Sequence, residues 1–521
     1  MYWLLLLIFI LFFLVIVAFL FFVKYENRIA KKIGLTFSVS QYLLDPLSKY
    51  FPEIFFKRNK KKIWNPSNAP KSLGVYGYVN KHSIFPGQEF KIMLSTSPEI
   101  GSISGRIEIS RIGYYEKKDR KLKWRSDNLA IQTQEVHDST ASIGLMWKPL
   151  NIHVDSQDWE SGFYDIDFIA NDGKKYPHVA FIVVKNSISE GDMLVKITTN
   201  TYQAYNTWGG HNLYRSELLG PGKRGYMVSF DRPMVPFAFH DFYTWEIHFV
   251  FWLEELAKRS NFKVHYITSF DAHSDVTFSD KYKLLISVGH DEYWSKEEFE
   301  NTYRRIFKLG KNTMFWGANT AYWQVRYADL NAGDSNVDLG RQMVLFKSLE
   351  DPIKYRMDNS IKNYTTARFR DVNLPETMLM GVAYEYFRGG ERQKLYVKEN
   401  NFPFFKNTNY KSGDLVGRLI GHEWDNIDPE KDNKRLFSDK NSNIPLIPLD
   451  SINVLFSGTA IGNDGRIGKS ESVYFLSTAN AKVFSSGTNG WAKGLIMEGN
   501  EGNQFKKLNE NMILDFLDLK Y

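Results

Sequence analysis

The pattern of apolar and polar positions over residues 282–326 predicts a strand, a helix and a second strand. KLLISVG is a continuous apolar run that ends in glycine, as expected for a strand covered on both faces of a parallel sheet. Ser295 then opens a helix with Glu298 as its capping-box partner, and Gly310 ends it. NTMFWG follows as the second strand. This right-handed βαβ unit would place the GHDEYW and GANTAYW loops at the carboxyl ends of parallel strands, where open α/β sheets bind ligands.

Alternating strand and helix patterns continue on both sides of this unit. MLVKITTN and KVHYIT predict two further strands, residues 241–259 predict an amphipathic helix between them, and residues 504–519 predict a final helix. TYQAYNTWGGHNLY, after the first of these strands, is predicted as a loop. We therefore predict a flavodoxin-like or amidotransferase-like layered α/β sheet over 190–521. Its turn-rich part, 345–455, is predicted as a β-rich insertion that covers the rim of the sheet.

Short alternating runs separated by turn residues dominate residues 72–186. Examples are EFKIMLSTS, GRIEISRIGYY and GFYDIDFIA. Strands at this spacing without a helical stretch predict a β-sandwich of immunoglobulin-like size. Nothing in this segment favours a catalytic role over a structural one.

The first 25 residues predict a transmembrane anchor, because positions 3–23 contain neither a charge nor a helix breaker. Residues 26–71 form a basic linker with KRNKKK at 57–62. Basic residues follow the apolar run and none precedes it, so the positive-inside rule favours a single-pass membrane protein with a cytoplasmic body. A short uncharged N-terminus can be retained on either side, so an extracytoplasmic body stays open.

The length, charge and cysteine content of the chain exclude several classes of partner and of active site. The 521 residues suit two or three domains, and the net charge of +7 comes from lysines and acids that are interspersed, which argues against a nucleic-acid partner. The chain has no cysteine, which excludes disulfides, thiolate metal sites and a cysteine nucleophile. The sequence leaves a homo-oligomer open.

Polar side chains gather in the predicted loops at the rim of the sheet. They are His290, Asp291, Glu292, Tyr293, Asn319, Tyr322, His422, Glu423 and Asp425. The chain lacks both a G-x-S-x-G elbow and an H-E-x-x-H zinc motif, so oxygen donors remain. Two tyrosinates and a carboxylate would suit a hard trivalent ion such as ferric iron, since only a strong Lewis acid displaces the phenol proton. Packing or hydrogen bonding is the alternative role of such tyrosines.

Six segments, taken in order, resemble the C-terminal catalytic region of the N,N-dimethylformamidase large (beta) subunit family. They are TYQAYNTWGGHNLY, VSFDRP, ISVGHDEYWS, FWGANTAYWQVR, IGHEWD and VFSSGTNGWAKGL. GYVNKHSIFPGQ, RIGYYEKK and DWESGFYDIDFIA upstream resemble the β module that precedes this region in many relatives. The resemblance implies a mononuclear iron (Fe3+) held by two tyrosines and a glutamate, and hydrolysis of an amide to formate and an amine.

Carried over by motif, the iron ligands would be Tyr293, Tyr322 and Glu423. Tyr282 competes with Tyr293, and Asp425 competes with Glu423. The candidate catalytic side chains are His290, Glu292, His422 and Asp425. The two histidines could transfer protons or support the metal ligands, and hydrogen bonding to a loop backbone is their alternative role.

The sequence departs from the family pattern in two loops at the predicted site, and these differences bear on which substrate it would accept. Asp291 stands where the family has proline, and Ala318-Asn319-Thr320 replaces a glycine-rich turn. The function predicted first is a membrane-anchored, iron-dependent hydrolase of a C–N bond in a small-molecule amide. The alternative is a non-catalytic protein that binds a carbohydrate or surface polymer through the sandwich and the aromatic rim. A scaffold for a membrane complex is a third possibility.

Overall fold

The computed structural model describes residues 74–116, 118–137, 139–186, 191–216, 223–234, 242–328, 340–355, 364–387, 391–427, 447 and 451–520. The predicted membrane helix and basic linker, residues 1–71, lie outside this part of the chain. Within it, no helix has the length and apolar character needed to cross a membrane.

The described residues between 74 and 186 form eight strands and one short helix. They are β1 (Val75–Val79), β2 (Ser83–Ile84), β3 (Ile92–Thr96), β4 (Ser102–Tyr115), β5 (Lys118–Arg125), β6 (Leu129–Gln132), α1 (Thr140–Ile143), β7 (Gly162–Ala170) and β8 (Lys175–Val184).

These strands form two sheets that share one apolar core. β1 pairs with β3, and the larger sheet has the order β2-β8-β7-β4-β5, with β6 also paired to β4. Alternate residues of β7, Tyr164, Ile166 and Phe168, enter the core together with Leu94 of β3, as the two-residue period of a strand requires. The predicted β-rich module is present, and its immunoglobulin-like classification stays a prediction.

The second region contains fifteen strands and seven helices among the described residues. The strands are β9 (Met193–Ile197), β10 (Met227–Ser229), β11 (Val264–Thr268), β12 (Leu284–Val288), β13 (Tyr293–Ser295), β14 (Asn312–Trp316), β15 (Trp323–Ala328), β16 (Gln342–Val344), β17 (Ala383–Phe387), β18 (Gln393–Val397), β19 (Leu415–Ile420), β20 (Glu423–Asn426), β21 (Asn453–Ile461), β22 (Ile467–Leu476) and β23 (Lys482–Ser485). The helices are α2 (Thr199–Tyr205), α3 (Phe242–Trp245), α4 (Ile247–Ser260), α5 (Ser269–Ser274), α6 (Lys296–Phe307), α7 (Thr377–Met380) and α8 (Gly499–Phe516). Short 3-10 helices lie at Pro352–Tyr355, Phe369–Val372, Pro403–Phe405 and Trp491–Ile496.

A nine-stranded sheet forms the centre of this region. Its order is β11-β9-β12-β14-β23-β22-β21-β18-β19, and the first five strands run parallel. Numbered along the chain, those five lie in the order 2-1-3-4-5, which is common in doubly-wound sheets. Smaller sheets, β10-β16-β15-β13 and β17-β20, lie apart from it. The fold is mixed α/β with several sheets, and its flavodoxin-like assignment stays a prediction.

The predicted βαβ unit is confirmed. β12 and β14 are parallel and directly paired, and α6 connects them. The Ser295 hydroxyl accepts a hydrogen bond from the Glu298 amide at 3.1 Å, as an N-cap does. The Glu298 carboxylate pairs with Lys196 and not with the Ser295 amide. The capping box is therefore only half formed, because a buried lysine competes for the glutamate.

Two segments differ from the predictions. TYQAYNTWGGHNLY was predicted as a loop, but its first part continues α2, which begins two residues after β9. Residues 345–455 were predicted as an insertion over the rim, yet β18 and β19 extend the central sheet through β21. The pairing of β18 with β21 joins segments about sixty residues apart, as in Tyr396 with Ser457, which local periodicity does not reveal.

The β module is fixed to the α/β region through α4. The Arg111 guanidinium of β4 donates to both carboxylate oxygens of Glu254, at 2.9 and 2.7 Å, and to the Ser161 carbonyl. Phe163 stacks on Phe242 with ring centroids 3.9 Å apart. The two regions are thus packed through a buried ion pair and shared aromatic contacts.

Candidate active site

The candidate site lies beyond the carboxyl ends of β9, β12 and β14. α2 follows β9, residues 289–292 follow β12, and residues 317–322 follow β14. Glu423, the first residue of β20, joins them through Asn319, whose Nδ2 donates to Glu423 Oε1 at 3.0 Å. The strand order reverses between β9 and β12, and doubly-wound sheets bind ligands in the crevice at such a point.

Two phenols meet one buried carboxylate at this position. Tyr205 Oη donates to Glu292 Oε2 at 2.7 Å, and Tyr214 Oη donates to Glu292 Oε1 at 2.5 Å. The two tyrosine rings are stacked with centroids 4.5 Å apart. Tyr205 is the last residue of α2, so the helix that replaces the predicted loop positions it. The result is a compact set of three oxygen-bearing side chains.

An imidazole connects this set to a second glutamate. His290 Nε2 lies 2.6 Å from Glu423 Oε2 and 3.4 Å from Glu292 Oε2. Asn489 Nδ2 donates to Glu423 Oε2 at 3.1 Å and so acts with Asn319 to hold this carboxylate in place. All five side chains are buried. A histidine between two carboxylates therefore lies inside the protein.

Burial and charge move the pKa values of these groups in different directions. Burial raises the pKa of Glu292, and the Glu423 charge adds to this effect while His290 opposes it. Burial alone would raise the pKa of Glu423, but His290 and its hydrogen bond hold that pKa below the ordinary value. Burial would lower the pKa of His290, yet the carboxylates of Glu423 and Glu292 raise it. The favoured arrangement is an ionised Glu423 paired with a protonated His290.

A lysine lies over the outer phenol. Lys347 Nζ is 3.2 Å from the Tyr214 ring centroid, 4.8 Å from that of Trp323 and 5.8 Å from that of Tyr293. Burial lowers the pKa of Lys347 to about 7, and the Glu292 charge only partly offsets it. Among the described residues its ammonium has neither a hydrogen bond nor an ion pair. Aromatic faces replace a counter-ion here.

Asp291, the residue that departs from the family pattern, lies beneath the site. Its Oδ2 is 2.5 Å from Lys196 Nζ and accepts a hydrogen bond from Ser287 Oγ, also at 2.5 Å. Lys196 also pairs with Glu298 and lies over the Trp294 ring. The extra acid is therefore paired with a buried lysine below the loop.

The three predicted metal ligands occupy different surroundings. Tyr293 is buried with its ring edge-on to Tyr205 and Tyr214, at 6.1 and 6.4 Å, and its hydroxyl has no hydrogen-bond partner among the residues that the structure describes. Tyr322 packs edge-on against Tyr384 at 5.1 Å and lies under the Arg370 guanidinium. Glu423 contacts His290, as described above. Of the three, Tyr293 and Glu423 border the Glu292 set directly, and Tyr322 lies to one side.

The remaining predicted residues are also located. The His422 ring is 6.2 Å from that of His290, and burial lowers its pKa. Asp425 accepts the Asn319 amide at 2.8 Å, and burial raises its pKa to about 8. Tyr282, the competitor of Tyr293, hydrogen-bonds His265 at 3.0 Å near the opposite ends of the strands. It is thus remote from the site.

Four residues of the site were not singled out from the sequence. Tyr205, Tyr214 and Asn489 lie in segments that carry the family resemblance, YNTWGGHNLY and TNGW. The sequence therefore pointed to these segments, but it gave no reason to select these three residues within them. Lys347 lies in no such segment, and only the folded chain brings it to the site.

A second cluster of possible ligands lies in the β module. Within the described residues, Asp165, Asp167 and His178 are the one group of three acidic or histidine side chains whose ligand atoms lie within 4.8 Å of one another. Arg120 is 3.4 Å from both aspartates, and Lys175 is 2.7 Å from Asp167. These cations already neutralise the cluster.

Comparisons with known proteins agree with the resemblance seen in the sequence. The family described as "N,N-dimethylformamidase beta subunit-like, C-terminal" matches residues 106–504. No curated protein sequence gives a significant match.

Two solved structures illustrate the structural likenesses. A superoxide reductase (neelaredoxin) variant from Ignicoccus hospitalis is 13% identical over 25% of this chain and 100% of its own, with a TM-score of 0.16. A cycloisomaltooligosaccharide glucanotransferase from Paenibacillus sp., complexed with cycloisomaltoheptaose, is 8% identical over 50% of this chain and 29% of its own, with a TM-score of 0.15. Neither likeness bears on fold or function.

Proposed function

The chain belongs to the N,N-dimethylformamidase beta subunit-like family, and on that premise we propose that it hydrolyses the C–N bond of an amide at the Glu292 site. The observation that carries the proposal is the contact of two phenols, Tyr205 and Tyr214, with the two oxygens of one buried carboxylate. A histidine and a second glutamate adjoin this set. Amide hydrolysis needs both an electrophilic centre and a group that moves a proton, and this arrangement supplies candidates for both.

The His290–Glu423 pair would carry the proton. Hydrolysis forms a C–O bond from water, breaks the C–N bond and moves a proton from water to the amine. Glu423, held ionised by His290, would accept the proton as water adds to the carbonyl carbon. His290 would then supply a proton to the leaving nitrogen. Asn319 and Asn489 fix the carboxylate in this position through their amide donors.

The donor chemistry fits the mononuclear iron that the family implies. Tyr205, Tyr214 and Glu292 offer two phenols and a carboxylate, a set that a hard trivalent ion prefers. Burial raises the pKa values of both phenols far above the ordinary range, so only a strong local positive charge would ionise them. We therefore propose these three residues as the ligands, in place of the set predicted from motifs. When bound, iron would supply Lewis-acid polarisation of the amide carbonyl.

Metal analysis of variants separates the two ligand sets. We expect purified protein to contain near-stoichiometric iron with a phenolate-to-iron absorption band. Tyr205→Phe and Tyr214→Phe should each abolish the band, whereas Tyr322→Phe should retain it. Loss of the band in Tyr322→Phe alone would instead support the motif-based set. Iron-free, colourless and folded wild-type protein would refute the iron proposal.

Hydrolysis itself is tested by formate release from N-alkylformamides. We expect turnover by the wild type and none above background by Glu423→Gln with an unchanged circular dichroism spectrum. The proposal fails if iron-loaded, folded wild-type protein releases no formate from any of a panel of neutral and charged formamides.

We also propose that residues 3–23 anchor the protein in a membrane as a single-pass helix, with the α/β region in the cytoplasm. The support is the uncharged apolar run and the basic residues that follow it. Protein that stays in the supernatant after membrane fractionation would contradict the anchor. Protease protection in sealed vesicles would decide the side.

A further inference from the structure

Three basic side chains from separate parts of the chain meet beside the site. They are His248 of α4, Arg392 just before β18, and Lys493 in the 3-10 helix Trp491–Ile496. A β-carbon added at Gly490 would lie 3.0 Å from Arg392 Cδ, so the arginine packs close to the turn that carries the lysine. All three side chains are partly exposed.

None of the three has an acidic partner within the described part of the chain. No hydrogen bond or ion pair of the His248 ring, the Arg392 guanidinium or the Lys493 ammonium is formed there. Burial, followed by the charges of Lys493 and Arg392, lowers the pKa of His248. Burial and Arg392 lower that of Lys493 in the same way. His248 is therefore close enough to be affected by the charges of Lys493 and Arg392, and Lys493 by that of Arg392.

A row of rings links this basic cluster to the catalytic centre. Lys493 Nζ lies 5.0 Å from the Trp245 ring centroid. The Trp245 ring is 6.2 Å from that of His422, which is in turn 6.2 Å from that of His290. The Trp245 and His290 rings are therefore at most twice that distance apart. The rings of Trp245 and His422 thus lie in sequence between Lys493 and His290.

We propose that His248, Arg392 and Lys493 bind an anionic group, a carboxylate or a phosphate, carried by the amide substrate. This inference rests on the proposed function and names its substrate class: a small amide whose acidic group lies several bonds from the scissile nitrogen. The anion contacts the basic cluster while the amide reaches His290 and Glu423.

The charge balance explains why an anion is the favoured ligand. Half-buried like charges without a counter-ion destabilise one another, and a bound anion restores the hydrogen bonds that they lack. Arg111, which also packs against α4, has Glu254 as its acidic partner. The basic cluster differs from Arg111 in this respect and lies next to the site, where low-dielectric walls strengthen attraction for an anion.

Three formamides of matched length test the inference on the purified full-length protein. N-formyl-β-alanine carries a carboxylate, N-formyl-O-phosphoethanolamine a phosphate, and N-formyl-β-alaninamide no charge. We expect kcat/KM for formate release to be about tenfold higher for at least one anionic compound than for the neutral one, as one charge-assisted contact of ordinary strength would give. The ratio should collapse towards one in Arg392→Gln/Lys493→Met. Lys394→Met, a nearby exposed lysine, is the control and should keep the wild-type ratio.

Isothermal titration with the same three compounds gives a readout that does not need turnover. Anion binding that is lost in the double variant, with no formate from any compound, would support the anion site and refute amide hydrolysis. Formate release at equal rates from charged and neutral compounds, with no weaker anion binding in the double variant, would overturn the anion site and leave hydrolysis standing. A preference for the carboxylate or for the phosphate identifies which anion the substrate carries.

Discussion

Two buried clusters in this protein contain the same kinds of side chain but differ in their counter-charges. In the β module, Asp165 contacts His178 Nδ1 at 2.6 Å and Arg120 at 3.4 Å, and Lys175 contacts Asp167 at 2.7 Å. Each aspartate therefore has a strong cation beside it. Such a cluster is already complete and needs no ligand.

The Glu292 cluster lacks this balance. Among the described residues the one ion-pair partner of Glu292 is His290, which is closer to Glu423. Its other contacts are the phenols of Tyr205 and Tyr214, and Lys347 lies over the Tyr214 ring without an ion pair to the carboxylate among the described residues. Both regions contain buried acids with a histidine. Of the two, the Glu292 cluster has negative charge that neighbouring cations do not fully neutralise, and this makes it the one suited to bind a cation.

The largest effect should come from Glu292→Gln. The change removes the charge that the two phenols surround, and we expect formate release to fall by at least about 10³-fold, in the range lost with a residue that stabilises the transition state. The folded structure should persist, because glutamine fills the same volume. Steady-state kinetics and circular dichroism provide the measurement. Activity within tenfold of wild type would remove Glu292 from the site.

Asp165→Asn should lower stability and leave formate release unchanged, the reverse of the result expected for Glu292→Gln. Removing one partner of a buried ion pair leaves His178 and Arg120 without full compensation, and we expect a loss of about 3 kcal/mol in the free energy of unfolding. Formate release per folded molecule should stay near wild type. Urea denaturation measures the loss, and Asp172→Asn, in the exposed turn between β7 and β8, is the matched control. Unchanged stability would show that the cluster is not structural.

The sequence allowed the strand ends that carry the candidate site to be predicted, but not the contacts between its side chains. Continuous apolar runs identified β12 and β14, and the edge where they end indeed carries His290 and Glu292. The family resemblance is confirmed over residues 106–504. The identity of the phenols did not follow from it, because Tyr205 reaches Glu292 through α2 and Tyr214 through the turn beyond it.

Strand pairings between distant segments also could not be predicted from the sequence. β18 and β19 join the central sheet through β21, which neither a two-residue nor a helical period can indicate. Lys347 reaches the Tyr214 ring from more than a hundred residues away in sequence. Long-range contacts of this kind depend on the packing of the whole chain.

The buried His211, outside both clusters, adds a pH-dependent contrast. Burial, with Arg232 nearby, lowers the pKa of His211 to about 4 from an ordinary value of 6.5. The unfolded chain then binds more protons below pH 6.5, so stability falls as pH decreases towards 4. We expect His211 to account for a loss of roughly 2 kcal/mol between pH 6.5 and pH 5, in addition to the losses from other buried histidines such as His265. Urea denaturation across this range should show a smaller loss in His211→Gln. An equal loss would assign the acid sensitivity to other groups.

The smallest effect concerns Lys347, whose charge lies over the Tyr214 ring and favours ionised oxygens in the Glu292 set. Lys347→Met keeps the length and apolar contacts but removes that charge. We expect iron content or formate release to fall about tenfold, the lower end for a residue that supports metal ligands. Lys174→Met is the matched control, since Lys174 lies 4.7 Å from the Tyr176 ring in the β module. Equal losses in both variants would mean that Lys347 acts through packing alone, and the contrast between the two clusters would then rest on Glu292 and its phenols.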